Sequence, residues 1–282
     1  MPERLAEPDG RRGSARGRRA ARCGSACGSA RARAGAGLRS PAPARLGRPD
    51  APPAPSIPEA ALFPAPDPAA SPSPADVAPH DPLPGVPVVV LGLMGAGKTT
   101  LASRLAQRWG RPLRDSDADL RAQTGATAAE LAEREGKDGL HAREAEHLLT
   151  SLQGTLSVVA AAASTVERPA CLQALAAPFV IWLEADPRRL AARQGTGSHR
   201  PRYESDVTHM LVEMDRRRRP LFLQISDLVV HLGSVRAEPD DAVRERQKQA
   251  LADAVAEQVA RLAAEPGGRG ELDADAVLDA VR

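Results

Sequence analysis

The strongest constraint in this chain is the ten-residue stretch "LGLMGAGKTT", residues 91–100. Gly92, Gly97, Lys98 and Thr99 stand there at G-x-x-x-x-G-K-[ST] spacing, directly after the apolar run Val86 to Leu91. The segment "KTTLASRLAQRW" follows, with Leu101, Leu105 and Trp109 at helical intervals of four. A buried strand, a glycine-rich turn and a helix N-terminus in series gather successive backbone N–H groups around a phosphate. Lys98 then brings positive charge between two phosphates, and the Thr99 hydroxyl can ligate Mg²⁺.

Downstream, short apolar runs alternate with helical patterns. "TLSVVAA", "PFVIWLEA" and "DLVVHL" read as further buried strands. Helical patterns cover Ala128 to Glu135, His141 to Leu152, Pro187 to Arg193, Val207 to Arg218 and Ala242 to Ala263. Continuous apolar strands interleaved with helices specify an α/β fold, a parallel β-sheet covered on both faces by α-helices. The glycine-rich loop then lies at the carboxyl end of a strand, where such sheets bind ligands.

Composition divides the 282 residues unevenly. Residues 1–82 are almost all Ala, Arg, Pro, Gly and Ser, with apolar side chains too sparse to repay chain entropy, so a disordered tail is expected. Twelve arginines against four acidic residues give residues 1–50 a net +8; the whole chain is +2, so the remainder carries −6. The basic tail could neutralise nucleic-acid phosphates, but without interleaved aromatics a solvated tail is the simpler reading. A start codon assigned too far upstream would also produce it. No run of apolar residues is long enough for a membrane span, and a cytoplasmic location is expected. Cys23 and Cys27 lack partners at zinc spacing, and Cys171 reads as a small core residue.

Other segments bear on the fate of the phosphate. "RDSDADL" puts Asp115 and Asp117 after the short segment "RPLR", where strand alternation would aim both carboxylates the same way. One could serve magnesium and the other take the proton of an attacking hydroxyl, although "DSD" alone reads as a solvated turn. "ARQGTGSHRPRY" carries Arg193 and Arg200 in a glycine-containing segment suited to a lid. "MDRRRRPLF" puts four arginines at an expected helix end, where they would also compensate the dipole.

Together these pieces resemble the shikimate kinases, small P-loop kinases of the nucleoside-monophosphate-kinase type. "GLMGAGKTTLASRLAQRWG" is similar to the family's phosphate loop and first helix, and "DSDADLRAQTGATAAELAEREG" to its D-T-D…T-G-x-S pattern. "RQGTGSHRP" is similar to its lid and "RRPLF" to its R-x-P-L-Y segment. The resemblance implies ATP and Mg²⁺ as cofactors and a place in aromatic amino acid biosynthesis. It assigns Gly95, Ala96, Gly97, Lys98, Thr99 and Thr100 to the nucleotide, Thr99 and Asp115 to Mg²⁺, and Asp117 to the acceptor hydroxyls. Arg193 would meet adenine, Arg200 the transferring phosphoryl group and Arg218 the substrate carboxylate. The resemblance runs from about Val86 to Val230; a kinase domain is expected over 83–264, with a helical substrate-binding region at 116–152 and a lid at 194–206, followed by a C-terminal tail at 265–282. A monomer is expected.

Two departures fall in the acceptor pocket. The family's glycine triplet is replaced by Ala162, Ala163 and Ser164, which limits close backbone approach. In "GKDGLHARE" the gap-free register puts Leu140 at the family's Phe and His141 at its carboxylate-binding Arg, with Glu144 keeping its position. A two-residue insertion would give the role to Arg143 instead, at the expense of the register of Leu148. A histidine with an ordinary pKa of about 6.5 would hold a carboxylate more weakly as pH rises through that value. Three readings of the acceptor follow: shikimate, a sugar acid of the gluconate kinase type, or none in a non-catalytic ATP-binding regulator. Retention of Asp117, Arg200 and Arg218 together favours an enzyme.

Overall fold

The computed structural model describes residues 81–193, 206–233, 240–265 and 267–281. Their core is a six-stranded sheet in the order β2-β3-β1-β4-β5-β6, with every pair parallel. Its strands are β1 (Val88–Gly92), β2 (Leu113–Asp115), β3 (Val158–Ala160), β4 (Phe179–Ala185), β5 (Leu228–Leu232) and β6 (Gly270–Asp273).

The central strands are apolar throughout because both faces are covered. Val88 and Val90 of β1 face one cluster with Leu101, Leu105 and Trp109 of α1 (Lys98–Trp109) and Val255 and Val259 of α7 (Asp241–Ala264). Val89 and Leu91 face the other, which includes Leu148 of α3 (Ala128–Ser151) and Leu211 and Phe222 of α6 (Val207–Ile225). Cys171 of α4 (Pro169–Ala174) is buried in that second cluster, as its isolation in the sequence implied. Two further helices, α2 (Ser116–Thr124) and α5 (Pro187–Arg193), follow β2 and β4. Leu120, Ala126, Leu131 and Leu140 make a small separate core beneath α2 and α3.

The two helical patterns expected at 128–135 and 141–152 are two helical stretches of α3 that meet at a sharp kink. Gly136 sits inside it at φ 76°, ψ 171°, a conformation open to glycine at little cost. Other boundaries change more. The four arginines 216–219 lie in the body of α6 rather than at its end, since the helix continues through Pro220 to Ile225. Residues 265–282 were expected to form a tail. Instead β6 pairs with β5 from Leu228↔Gly270 to His231↔Asp273, and α8 (Ala274–Asp279) buries Ala274 and Leu278.

The domain also begins earlier than residue 83. Asp81 binds Arg111 with both oxygens, at 2.7 and 2.8 Å, and the two side chains are 1% and 3% exposed. Arg111 additionally donates to the carbonyls of Leu83 and Val86. Apart from Asp81 and Pro82, the segment read as a disordered tail lies outside the described residues, with Cys23 and Cys27. So do residues 194–205 of the expected lid, including Arg200, and the side chain of Arg193. Among the described residues, no helix is long and apolar enough to cross a membrane.

Candidate active site

A cleft of about 340 Å³ opens at the carboxyl ends of β1, β2 and β3. One end is the glycine-rich loop. Gly92 leaves β1 at φ 150°, and a Cβ there would lie 2.7 Å from the Leu183 carbonyl of the adjoining strand. Only glycine lets the chain turn away from β4 at that distance. Gly97 then caps α1 in the left-handed region at φ 93°. Ala96 is buried in the core, while Gly95, Gly97, Lys98, Thr99 and Thr100 line the cleft. Lys98 Nζ donates to the Leu93 carbonyl at 3.3 Å, so the ammonium is held over its own loop.

The opposite wall comes from β2 and α2. Thr99 Oγ1 donates to Asp115 Oδ2 at 2.6 Å, and Asp115 Oδ1 accepts from Ala118 N at 3.0 Å as the N-cap of α2. Asp115 and Asp117 both reach the cleft, but strand alternation is not the reason. Asp115 ends β2, and Asp117 projects from the first turn of the helix that begins at Ser116. The Thr99 hydroxyl and Asp115 carboxylate are hard oxygen donors beside a phosphate-type loop. That set suits Mg²⁺, which takes one or two protein oxygens and completes its shell with phosphate and water.

The far end is built by α3, α6 and the turn after β3. His141, Glu144, Ala162, Ala163, Ser164 and Arg218 line it. Arg143 is absent from this lining and pairs with Glu135 at 2.7 Å, while Leu140 is fully buried. Residues Ala163–Glu167 form a 3₁₀ turn entered through Ala162 at φ −65°, ψ 141°, a backbone that needs no glycine. Ala162 and Ala163 thus bring methyl groups, and Ser164 a hydroxyl, to the cleft lining.

Electrostatics at this end differ from what the sequence suggests. Burial, followed by the charge of Arg218, pulls His141 from 6.5 down to about 4. It is thus neutral at pH 6, and the expected change in carboxylate binding near pH 6.5 moves well below that value. Burial likewise pushes Glu144 up to about 7, with the Asp117 charge adding to the rise and a hydrogen bond from Ser164 Oγ opposing it. Arg218, only 3% exposed, donates through Nε and Nη2 to Glu167 Oε2 at 2.9 and 2.7 Å. Sequence reasoning missed Glu167 and the Ser164–Glu144 contact, whose partners lie 51 and 20 residues apart in the chain.

A family model described as shikimate kinase matches residues 94–262. The chain belongs to the shikimate kinase family. It is 38% identical over 141 residues to a shikimate kinase of Symbiobacterium thermophilum, covering 49% of this chain and 81% of that one. A Burkholderia thailandensis shikimate kinase is 34% identical over 152 residues, 53% of this chain and 83% of that relative. Among solved structures, an Acinetobacter baumannii shikimate kinase in complex with shikimate aligns at TM-score 0.52 and 23% identity, covering 60% of this chain and 90% of that one. The Bacteroides thetaiotaomicron shikimate kinase aligns at TM-score 0.50 and 19% identity, over 60% and 98%. These two likenesses establish the P-loop kinase fold, and the family makes the chain a small-molecule kinase that phosphorylates a hydroxyl. Its β6 and α8 lie beyond the stretch that the family model matches.

Proposed function

We propose that this shikimate kinase family member transfers the γ-phosphoryl group of ATP to a hydroxyl of shikimate, giving shikimate 3-phosphate. The observation that carries this reading is the convergence, in one cleft, of the phosphate loop with Asp117 and Arg218. Gly95 to Thr100 would cradle the nucleotide phosphates, and Lys98 would leave the Leu93 carbonyl to follow the transferring group. Thr99 and Asp115 would hold Mg²⁺, which when bound offsets phosphate charge. Asp117 orients the attacking hydroxyl and accepts its proton, and Arg218 takes the acceptor carboxylate. By their motif positions, Arg193 meets the adenine and Arg200 the phosphoryl group. Phosphoryl transfer depends mainly on positioning and charge stabilisation, so each of these roles is one of placement.

The test is ADP release by the full-length chain with ATP and Mg²⁺ against shikimate, quinate and gluconate. Shikimate should be turned over, and Lys98→Ala should lower kcat by at least about 100-fold with an unchanged circular dichroism spectrum. Turnover of gluconate or quinate with none of shikimate would overturn the assignment.

A further inference from the structure

Arg218 comes from α6, and Glu167 from the end of the 3₁₀ turn after β3. Glu167 is not among the residues that line the cleft, and its second oxygen accepts from Arg217 Nε at 3.3 Å. Burial alone would raise the Glu167 pKa. The hydrogen bond and charge of Arg218 outweigh burial and hold it below the usual carboxylate range, so the pair is ionic at neutral pH. The acceptor end therefore presents a guanidinium paired with a carboxylate that Arg217 also shares, next to a histidine that carries no charge.

We propose that Glu167 is a positioning residue that sets how tightly the cleft holds a carboxylate-bearing acceptor, by fixing the Arg218 guanidinium and offsetting its charge. The inference rests on the reading of Arg218 as the group that meets the acceptor carboxylate. Two effects of Glu167 oppose each other. Its hydrogen bonds orient Arg218, which favours binding, while its negative charge repels an incoming carboxylate. Glutamine keeps a hydrogen-bond acceptor and removes the charge; alanine removes both.

Steady-state kinetics of the full-length chain with shikimate and with its methyl ester separate these effects. For Glu167→Gln, the KM for shikimate should fall about 3- to 10-fold at pH 7.5, with kcat and the KM for ATP within about twofold of the parent. The KM for the uncharged ester should not move. Glu167→Ala should raise the KM for the ester, and the KM for shikimate above that of Glu167→Gln, because Arg218 loses its orientation. The exposed neighbour supplies a variant that leaves the buried pair intact: Arg217→Gln gives Glu167 wholly to Arg218 and should raise the KM for shikimate alone. A KM for shikimate that stays flat in both Glu167→Gln and Arg217→Gln, or an equal shift for the ester in either of these two variants, overturns the inference and leaves the assigned activity standing. If Glu167→Gln does not fold, a KM for shikimate that stays flat in Arg217→Gln overturns the inference by itself. A parent protein that takes another acceptor and never shikimate overturns both.

Discussion

Glu144 is a carboxyl group at odds with its surroundings, 8% exposed and facing Asp117 across the cleft. Its pKa is 4.5 in the unfolded chain and about 7 in the folded one. Between those values the folded chain keeps a proton that the unfolded chain has released, so stability falls as pH rises from about 4.5 to 7. His141 has the opposite sign. Its drop from 6.5 to about 4 means that stability is lost as pH falls through that window. Glu144→Gln keeps an acceptor for the Ser164 hydroxyl and cannot ionise. Denaturant melts should find it more stable than the parent by roughly 3 kcal/mol at pH 8 and not at pH 4.5. The variant should also weaken more steeply between pH 6.5 and 4, because the histidine contribution is no longer offset. Equal shifts at both pH values would mean that Glu144 does not titrate in this range. Residues of the phosphate loop were legible in the sequence because their spacing is local. Glu167 was not, since nothing near it in the chain announces Arg218.

At the scale of elements, the least legible pieces are short and half exposed. The buried strands β1, β3, β4 and β5 declare themselves by continuous apolar runs. In β6, "GELD", Glu271 and Asp273 face solvent and only Gly270 is buried, so no pattern marks a strand. The sequence Leu113–Asp115 of β2 is too short for any period to emerge. Yet β6 and α8 cover Leu228 and add Ala274 to the main core. Deleting residues 265–282 should cost at least about 3 kcal/mol from lost apolar burial and leave β5 as a bare edge. Thermal melting with light scattering should show a lower Tm and faster aggregation. An unchanged melt would make the C-terminal unit dispensable. The kink of α3 was legible in part, because the helical patterns on either side of Gly136 did not join.

For the whole molecule, the fold class and the order of the main elements followed from the alternation of apolar runs with helical patterns, but the domain limits did not. Asp81 sits at the end of a Pro- and Ala-rich stretch that looks uniform, and its pairing with Arg111 spans 30 residues. Removing one partner of a buried ion pair costs about 3–5 kcal/mol, because the other charge stays buried. A chain lacking residues 1–78 should therefore melt like the full-length protein, as the composition of that segment implies. One lacking residues 1–82 should melt lower by about 10 °C. Differential scanning calorimetry of the two chains decides this, and identical melting temperatures would show that Asp81 is replaceable by solvent.

The aromatic pair under α6 gives the protein a built-in optical probe. Trp182 of β4 stacks on Phe222 at 5.5 Å between ring centroids, and the Arg219 guanidinium lies 5.4 Å from the same indole. Phe222 and Arg219 share a helix with Arg218, so any shift of that helix when an acceptor is seated changes the polarity around one fluorophore. The chain has two tryptophans, and the other, Trp109, lies beside Arg111. Replacing Trp109 with phenylalanine would leave emission from Trp182 alone, making acceptor binding visible without turnover, label or coupling enzyme.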